Sequence, residues 1–185
     1  MVKMSEDAYN QIKSGGSSTN YSNRGKGLEK AIEVSNQQYK LENKALVNKA
    51  PEPYKQIGKN RPDGSFLAVR TTKAIPDYTG TYKNHSLLFD AKETKVETRF
   101  DLKNVEDHQY EDLKLNHECG GISFLIISFT SLDEIYYLPF ELLDKYWREK
   151  YKGGRKSIPY GEIAKKKYKI GNDVDYLEIV ERVIK

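Results

Sequence analysis

The chain is poor in the residues that supply much small-protein chemistry. A single cysteine, Cys119, in 185 residues leaves no internal disulfide and removes the secreted disulfide scaffolds. The histidines, His85, His108 and His117, lack the paired spacing of a zinc site and read as surface or core residues. No stretch approaches the roughly 18 apolar residues of a membrane span, and the polar N-terminus lacks the apolar segment of a signal peptide. Neither G-x-S-x-G nor G-x-G-x-x-G occurs. "GGRKS" (153–157) looks like the end of a phosphate-binding loop, but the glycine that loop needs earlier is Glu149 here. No internal repeat is visible. The expectation is a soluble cytoplasmic protein with no membrane partner.

What is present is a polar, globular composition. Hydrophobic residues make up 37% and charged residues 31%, and the length fits one domain with a real core. A net charge of +4 permits an anionic partner without requiring one. The 14 tyrosines, beside abundant lysine, suit a surface that meets nucleic acid, although tyrosine also fills half-buried strand positions.

Residues 1–23, rich in Ser, Asn and Gly ("SGGSSTNYSN"), carry no apolar period and read as a flexible arm, ahead of a single domain over 24–185. A helix follows from Gly27, with Leu28, Ile32, Ser35 and Tyr39 on one stripe and Ser22 or Asn23 as N-cap. The stretch 44–73 holds seven Lys/Arg against two acids, is broken by Pro51, Pro53 and Pro62, and turns at "PDG" (62–64). It reads as a basic hairpin inserted in the domain, either a working arm or a solvated surface hairpin. Strands are expected at "SLLFDAK" (86–92), "VETRF" (96–100), "GISFLIISF" (121–129, central and buried on both faces) and "EIYYLP" (134–139). Helices are expected over 104–118, with Val105, Gln109 and Leu113 on one face, over 139–150 with Pro139 at its first position, and over 173–184. The order α-β-β-β-β-α-β-β-α-α predicts an α/β domain on a mixed central sheet flanked by helices.

The sharpest constellation is Asp77, Asp90 and Lys92. On a strand Asp90 and Lys92 share a face while Ala91 points away, so the pair is either a strand-end ion pair or half of an active site. "PD" followed about a dozen residues later by "DAK" fits the P-D-x(n)-[DE]-x-K pattern of Mg²⁺-dependent nucleases. Two carboxylates offer the hard oxygen ligands that Mg²⁺ prefers, and the metal lowers the pKa of a bound water. Lys92 would orient that water or meet the charge of the transition state. Gln109, a polar residue on an otherwise apolar helix face, needs a partner there, either a backbone group or a metal.

Four segments together resemble the RecU-type Holliday junction resolvases of Gram-positive bacteria and their phages. These are "YSNRGKGLE" (21–29), "DYTGTYKNHSLLFDAKETK" (77–95), "HQ" (108–109) and "GGRKSI" (153–158), in family order and spacing. The resemblance implies a restriction-endonuclease-like core, a homodimer, and a stalk that enters the centre of a four-way DNA junction, with the basic hairpin where the stalk belongs. It implies Mg²⁺ as cofactor, with Mn²⁺ as a substitute, and a recombinase or branch-migration machinery as further partners. Asp77, Asp90 and Gln109 fall on metal-ligand positions, Lys92 on the transition-state lysine, and Glu29 on a helix acid near the metal. Arg24, Lys55, Lys59, Arg61, Arg70, Arg155, Lys156 and the lysines of "AKKK" (164–167) are the expected phosphate contacts, with Arg61 nearest the junction centre. Two positions depart from the family: Asp90 stands where relatives carry Glu, and Ile75, which has no ligating group, stands where they tend to have Thr. The chemistry leaves two other readings open: a nuclease of the same fold for plain duplex or flaps, and a DNA-binding factor without activity.

Overall fold

The most apolar run of the chain becomes an inner strand of the sheet, and every other element is placed around it. A computed structural model describes residues 24–51, 54–70, 75–171 and 173–184. In chain order the elements are α1 (Arg24–Leu41), β1 (Ala45–Lys49), β2 (Tyr54–Ile57), β3 (Leu67–Arg70), β4 (Tyr78–Tyr82), β5 (His85–Thr94) and β6 (Arg99–Asp101). They continue with a 3₁₀ turn (Leu102–Asn104), α2 (Asp107–Glu118), β7 (Ile122–Phe129), β8 (Glu134–Pro139), α3 (Phe140–Tyr151), β9 (Ser157–Pro159) and α4 (Tyr160–Ile163). A second 3₁₀ turn (Lys166–Tyr168), β10 (Lys169–Ile170) and α5 (Leu177–Val183) close the chain.

Six strands form one sheet in the order β1-β4-β5-β7-β8-β10. All neighbours are antiparallel except β5 and β7, which run parallel and are joined through α2, so the sheet is mixed. A parallel pair needs a long crossover, and this one supplies it with a helix. Alternation along the inner strands feeds two cores. Leu87, Phe89, Phe124 and Ile126 pack with Leu28 and Ile32 of α1 and Leu177 and Val180 of α5. Leu125, Ile127 and Phe129 pack on the other side with Leu113 of α2 and Leu143 and Trp147 of α3. With both faces covered, β7 is apolar at nearly every position rather than alternating. The rings of Tyr78, Phe89, Phe124 and Tyr137 stack in sequence across β4, β5, β7 and β8, with centroids 4.9, 4.5 and 4.6 Å apart. That ladder fixes the backbone immediately beside Asp77 and Asp90.

The α/β class and the mixed sheet follow the sequence reading; several boundaries do not. Residues 45–49, read as part of the hairpin insertion, form the edge strand β1 of the main sheet, leaving the hairpin proper as β2 and β3. Within "VETRF" only Arg99 and Phe100 pair, and with Asp101 beyond it they pair with β9 outside the main sheet. The helix expected from 104 begins at Asp107, because Glu106 and Gln109 close a reciprocal capping box there. Pro139 ends β8 in extended conformation and serves as N-cap of α3 instead of its first residue. The last helix is shorter than 173–184: Val174 has a positive φ of 52°, which no helix accommodates, and α5 starts at Leu177. The N-cap candidates Ser22 and Asn23, and the arm 1–23, lie outside the described residues.

Gly80 sets the approach of β1 to β4. A β-carbon there would sit 2.3 Å from the Leu46 carbonyl oxygen and 2.8 Å from the Val47 α-carbon, both main-chain atoms that cannot rotate away. Gly80→Ala is therefore expected to displace the edge strand and to cost about 1–3 kcal/mol. At about 2–4 °C per kcal/mol for a chain of this size, thermal denaturation will show it clearly.

Candidate active site

Asp90 and Lys92 occupy two successive positions of β5 on the face turned toward α2, where the neighbouring strand presents Leu125 and Ile127. Ala91 between them packs against the opposite core, as strand alternation requires. The last β4–β5 pair is Tyr78 with Phe89, so one step further along the register Asp77 faces Asp90. The Asp77 carbonyl accepts a hydrogen bond from Ala50 N at 2.7 Å, which ties the end of β1 to the same corner.

The Asp90 side chain is wholly buried. Its Oδ2 accepts hydrogen bonds from Lys92 Nζ at 3.1 Å and from Gln109 Nε2, while no donor among the described residues reaches Oδ1, and the protonated carboxyl can share its proton with Asp77. Burial pushes the Asp90 pKa up to about 8, and the Asp77 carboxyl beside it adds to the rise. The Lys92 ammonium acts in the opposite direction and does not prevail. The physical reason is that one partly exposed cation cannot replace the hydration a buried carboxylate has lost.

Gln109 joins these groups. Its Nε2 donates to Asp90, and its Oε1 accepts from Lys92 Nζ at 3.1 Å and from Glu106 N at 3.2 Å. One side chain thus caps α2 and holds both Asp90 and Lys92. The oxygen a cation would use is engaged in this arrangement, so ligation would require its release from Glu106 N and Lys92.

Glu29 of α1 is engaged as well, by a residue that the sequence places in the hairpin stretch 44–73. Lys49, the last residue of β1, donates to Glu29 Oε2 at 2.6 Å and lies 3.9 Å from Glu33 Oε1. The bond to Glu29 raises the Lys49 pKa, and the charges of Glu33 and Asp77 contribute. The Tyr78 hydroxyl, raised first by burial, feels the charges of Glu29, Glu33, Asp77 and Asp90 together. These carboxylates therefore surround one corner of the sheet, with Lys49 and Lys92 as its ammonium groups. Only the sheet pairing of β1 could have revealed Lys49, since no short motif contains it. Ile75 is exposed and offers no ligating group.

Among the described residues no cluster of three or more His, Cys, Asp or Glu side chains is arranged to hold a metal ion. Two facing carboxylates, one with an orphaned buried oxygen, instead fit Mg²⁺, which commonly takes one or two carboxylates and completes its shell with water and phosphate oxygens. A cation there would offset the burial that raises the Asp90 pKa, by favouring the ionised carboxylate. In the metal-free protein the fold holds a proton on Asp90 that the unfolded chain releases near pH 4, so stability is expected to fall between about pH 4 and pH 8. Mg²⁺ should flatten that decline, with a larger stabilisation at about pH 8 than at about pH 5. Denaturation midpoints with and without the ion, at both pH values, measure it.

The expected phosphate contacts lie elsewhere on the surface. Lys55, Lys59, Arg61, Arg155 and Lys156 are exposed, and among the described residues no carboxylate pairs with them. For Arg24 and Arg70 the described structure covers the backbone alone. The loop carrying Arg155 and Lys156 leads into β9 and α4, which are braced at Glu134. That carboxylate accepts from the Tyr160 hydroxyl at 2.5 Å, the Tyr136 hydroxyl at 2.9 Å and Lys169 Nζ at 2.7 Å. These donors, Lys169 first, hold its pKa down at about 2. The hairpin is exposed along all its described length, and β2 pairs with β3 alone.

A mixed α/β core that brings two acids and a lysine to one sheet corner defines the class of metal-dependent nucleases with the P-D-x(n)-[DE]-x-K pattern. Within that class, the sequence model of the family "RecU: Recombination protein U" matches residues 23–182. The chain belongs to the RecU family. The Holliday junction resolvases RecU of Staphylococcus aureus strains JH9 and MRSA252 are each 37% identical to it over 176 residues, covering 91% of this chain and 85% of theirs. Among solved structures, Hjc from Archaeoglobus fulgidus, a Holliday junction resolvase, aligns with a TM-score of 0.36 and 11% identity over 64% of this chain and 76% of its own.

Proposed function

We propose that this chain is a Mg²⁺-dependent endonuclease that resolves four-way DNA junctions by paired symmetric nicks, in recombination and repair in the cytoplasm. The observation that carries the chemistry is the buried Asp90 carboxylate, with an orphaned oxygen and a raised pKa beside Asp77 and Lys92. Family membership supports the substrate, because the similar S. aureus proteins are named Holliday junction resolvases.

Asp77 and Asp90 would hold the ion, with Mn²⁺ able to replace Mg²⁺. When bound, such an ion lowers the pKa of a water and offsets charge on the scissile phosphate. Lys92, held at 3.1 Å from both Asp90 and Gln109, presents its ammonium to the non-bridging oxygens where negative charge builds. Gln109 keeps that ammonium in place, and Glu29 with Lys49 forms the second acid–base pair of the corner. Lys55, Lys59, Arg61, Arg155 and Lys156, together with Arg24 and Arg70, bind phosphates without reading sequence, so affinity should fall steeply with salt. A homodimer would match the approximate two-fold symmetry of the junction with two identical sites.

The hairpin separates junction resolution from plain duplex cleavage. Replacing residues 54–70 with a short glycine linker is expected to abolish the preference for a four-way junction over linear duplex of the same sequence. The melting temperature and its response to Mg²⁺ should stay near wild type, because the hairpin is exposed and paired only with itself. Cleavage of both substrates, compared between the two proteins, decides the point. A deletion protein that still prefers the junction would remove the hairpin from substrate recognition.

A further inference from the structure

The edge of the sheet farthest from the acid corner carries a second built feature. Strand β10 has only two residues, so the sheet stops short there and the two cores meet beyond it. Tyr168, in the 3₁₀ turn before β10, packs against both cores. Beside it opens a cleft of about 580 Å³ between α3, that turn and α5. Its apolar lining comes from Leu142, Ile179 and Val183 with the Tyr168 ring, and Val183 is 45% exposed.

The rim is strongly basic. Lys145, Lys165, Lys167 and Arg182 line it, against the single acid Glu141. Lys165 and Arg182 have carboxylate partners in Glu162 and Glu178. Lys145 and Lys167 have none among the described residues; they lie 5.3 and 4.7 Å above the rings of Tyr146 and Tyr168. Surface cations left over tyrosine faces around an apolar floor are suited to a ligand that is itself both acidic and apolar.

We propose that this cleft docks an acidic peptide segment of a partner protein, with one large apolar side chain on the floor and carboxylates on the lysine rim. Sequence alone groups Lys165, Lys166 and Lys167 with the phosphate-binding cations. The cleft argues otherwise: DNA phosphates would satisfy the lysines and leave the exposed Val183 and the open side of Leu142 uncovered, whereas an acidic–apolar peptide uses both the cations and the apolar floor. Its position at the β10 edge leaves the corner of Asp77 and Asp90, on β4 and β5, open while the peptide is bound. The docking surface is independent of which DNA structure the corner cuts.

The test uses the full chain and a fluorescein-labelled decapeptide of acidic residues flanking a central Leu-Phe pair, read by anisotropy at physiological salt. Wild-type protein should bind it in the micromolar range. Binding should be lost when Leu-Phe is replaced by Ser-Ser, or when the acids are replaced by their amides. Lys145→Glu and Val183→Asp, both at exposed positions, should each weaken binding about tenfold. Both variants should cleave a four-way junction at the wild-type rate, which also shows that they fold. Absence of peptide binding would overturn the proposal. So would a pattern in which Lys145→Glu weakens binding, Val183→Asp does not, and duplex DNA displaces the peptide, since that describes a nucleic-acid surface.

Discussion

Asp90→Asn is expected to abolish junction cleavage, by about a thousandfold or more, and at the same time to stabilise the metal-free protein. The two effects have one origin. The Asp90 carboxylate is fully buried, one of its oxygens is orphaned, and its pKa is pushed up to about 8 by burial and by the carboxyl of Asp77. Keeping it ionised without a cation costs folding free energy, and the neutral amide of the same shape does not carry that cost. The gain should grow from about pH 4, where the unfolded chain begins to release the proton that the fold retains, up to about pH 8, and vanish below about pH 4, where both states hold it. With about 2–4 °C per kcal/mol for a chain of this size, a melting-temperature difference of several degrees between the two proteins is expected at the higher pH. The same substitution should remove most of the stabilisation by Mg²⁺. A variant that is inactive and equally or less stable at both pH values would mean that Asp90 is a structural partner of Lys92 and Gln109 and not a site kept for a cation.

Lys92→Met should separate catalysis from metal binding. The Lys92 ammonium touches Asp90 and Gln109 at 3.1 Å each and is the cation nearest the orphaned carboxylate. Its removal takes away the charge that meets the phosphate in the transition state, a loss of about 10²–10³ in cleavage rate. It also removes a competitor for Asp90 Oδ2, so calorimetry should find Mg²⁺ bound as tightly as in wild type or more tightly. Methionine preserves the apolar stem, which limits any packing loss. Lys92→Arg should not rescue the rate, because a planar guanidinium cannot occupy the point-charge position between Asp90 and Gln109. Weaker metal binding in Lys92→Met would assign Lys92 to the assembly of the site and not to the chemical step.

Much of this corner is legible in the sequence. The face shared by Asp90 and Lys92 follows from strand alternation alone, and the stripe Leu28, Ile32, Ser35, Tyr39 is buried as its spacing requires. Gln109 was identifiable as a polar residue turned coreward. Its multiple engagement was not, because the capping box and the approach of α2 to β5 depend on tertiary packing. Lys49 was misplaced for a similar reason. Three prolines and seven cations make 44–73 look like one exposed unit, while the pairing of β1 with β4 is set by contacts about thirty residues apart, with Gly80 permitting the close approach. The three-residue strand β9 and the two-residue strand β10 are too short to carry a period and exist only through their partners.

If Asp77, Asp90 and Lys92 form a metal-dependent site that cuts four-way DNA junctions, cleavage must depend on both the ion and these acids. A cleavage assay on a synthetic four-way junction, run with Mg²⁺ and with EDTA, for wild-type protein and Asp77→Asn, measures both dependences. Wild type is expected to make paired symmetric nicks with Mg²⁺ and none with EDTA, and the variant none under either condition. Nicking that persists in EDTA, or an Asp77→Asn protein that cuts at the wild-type rate, would contradict such a site.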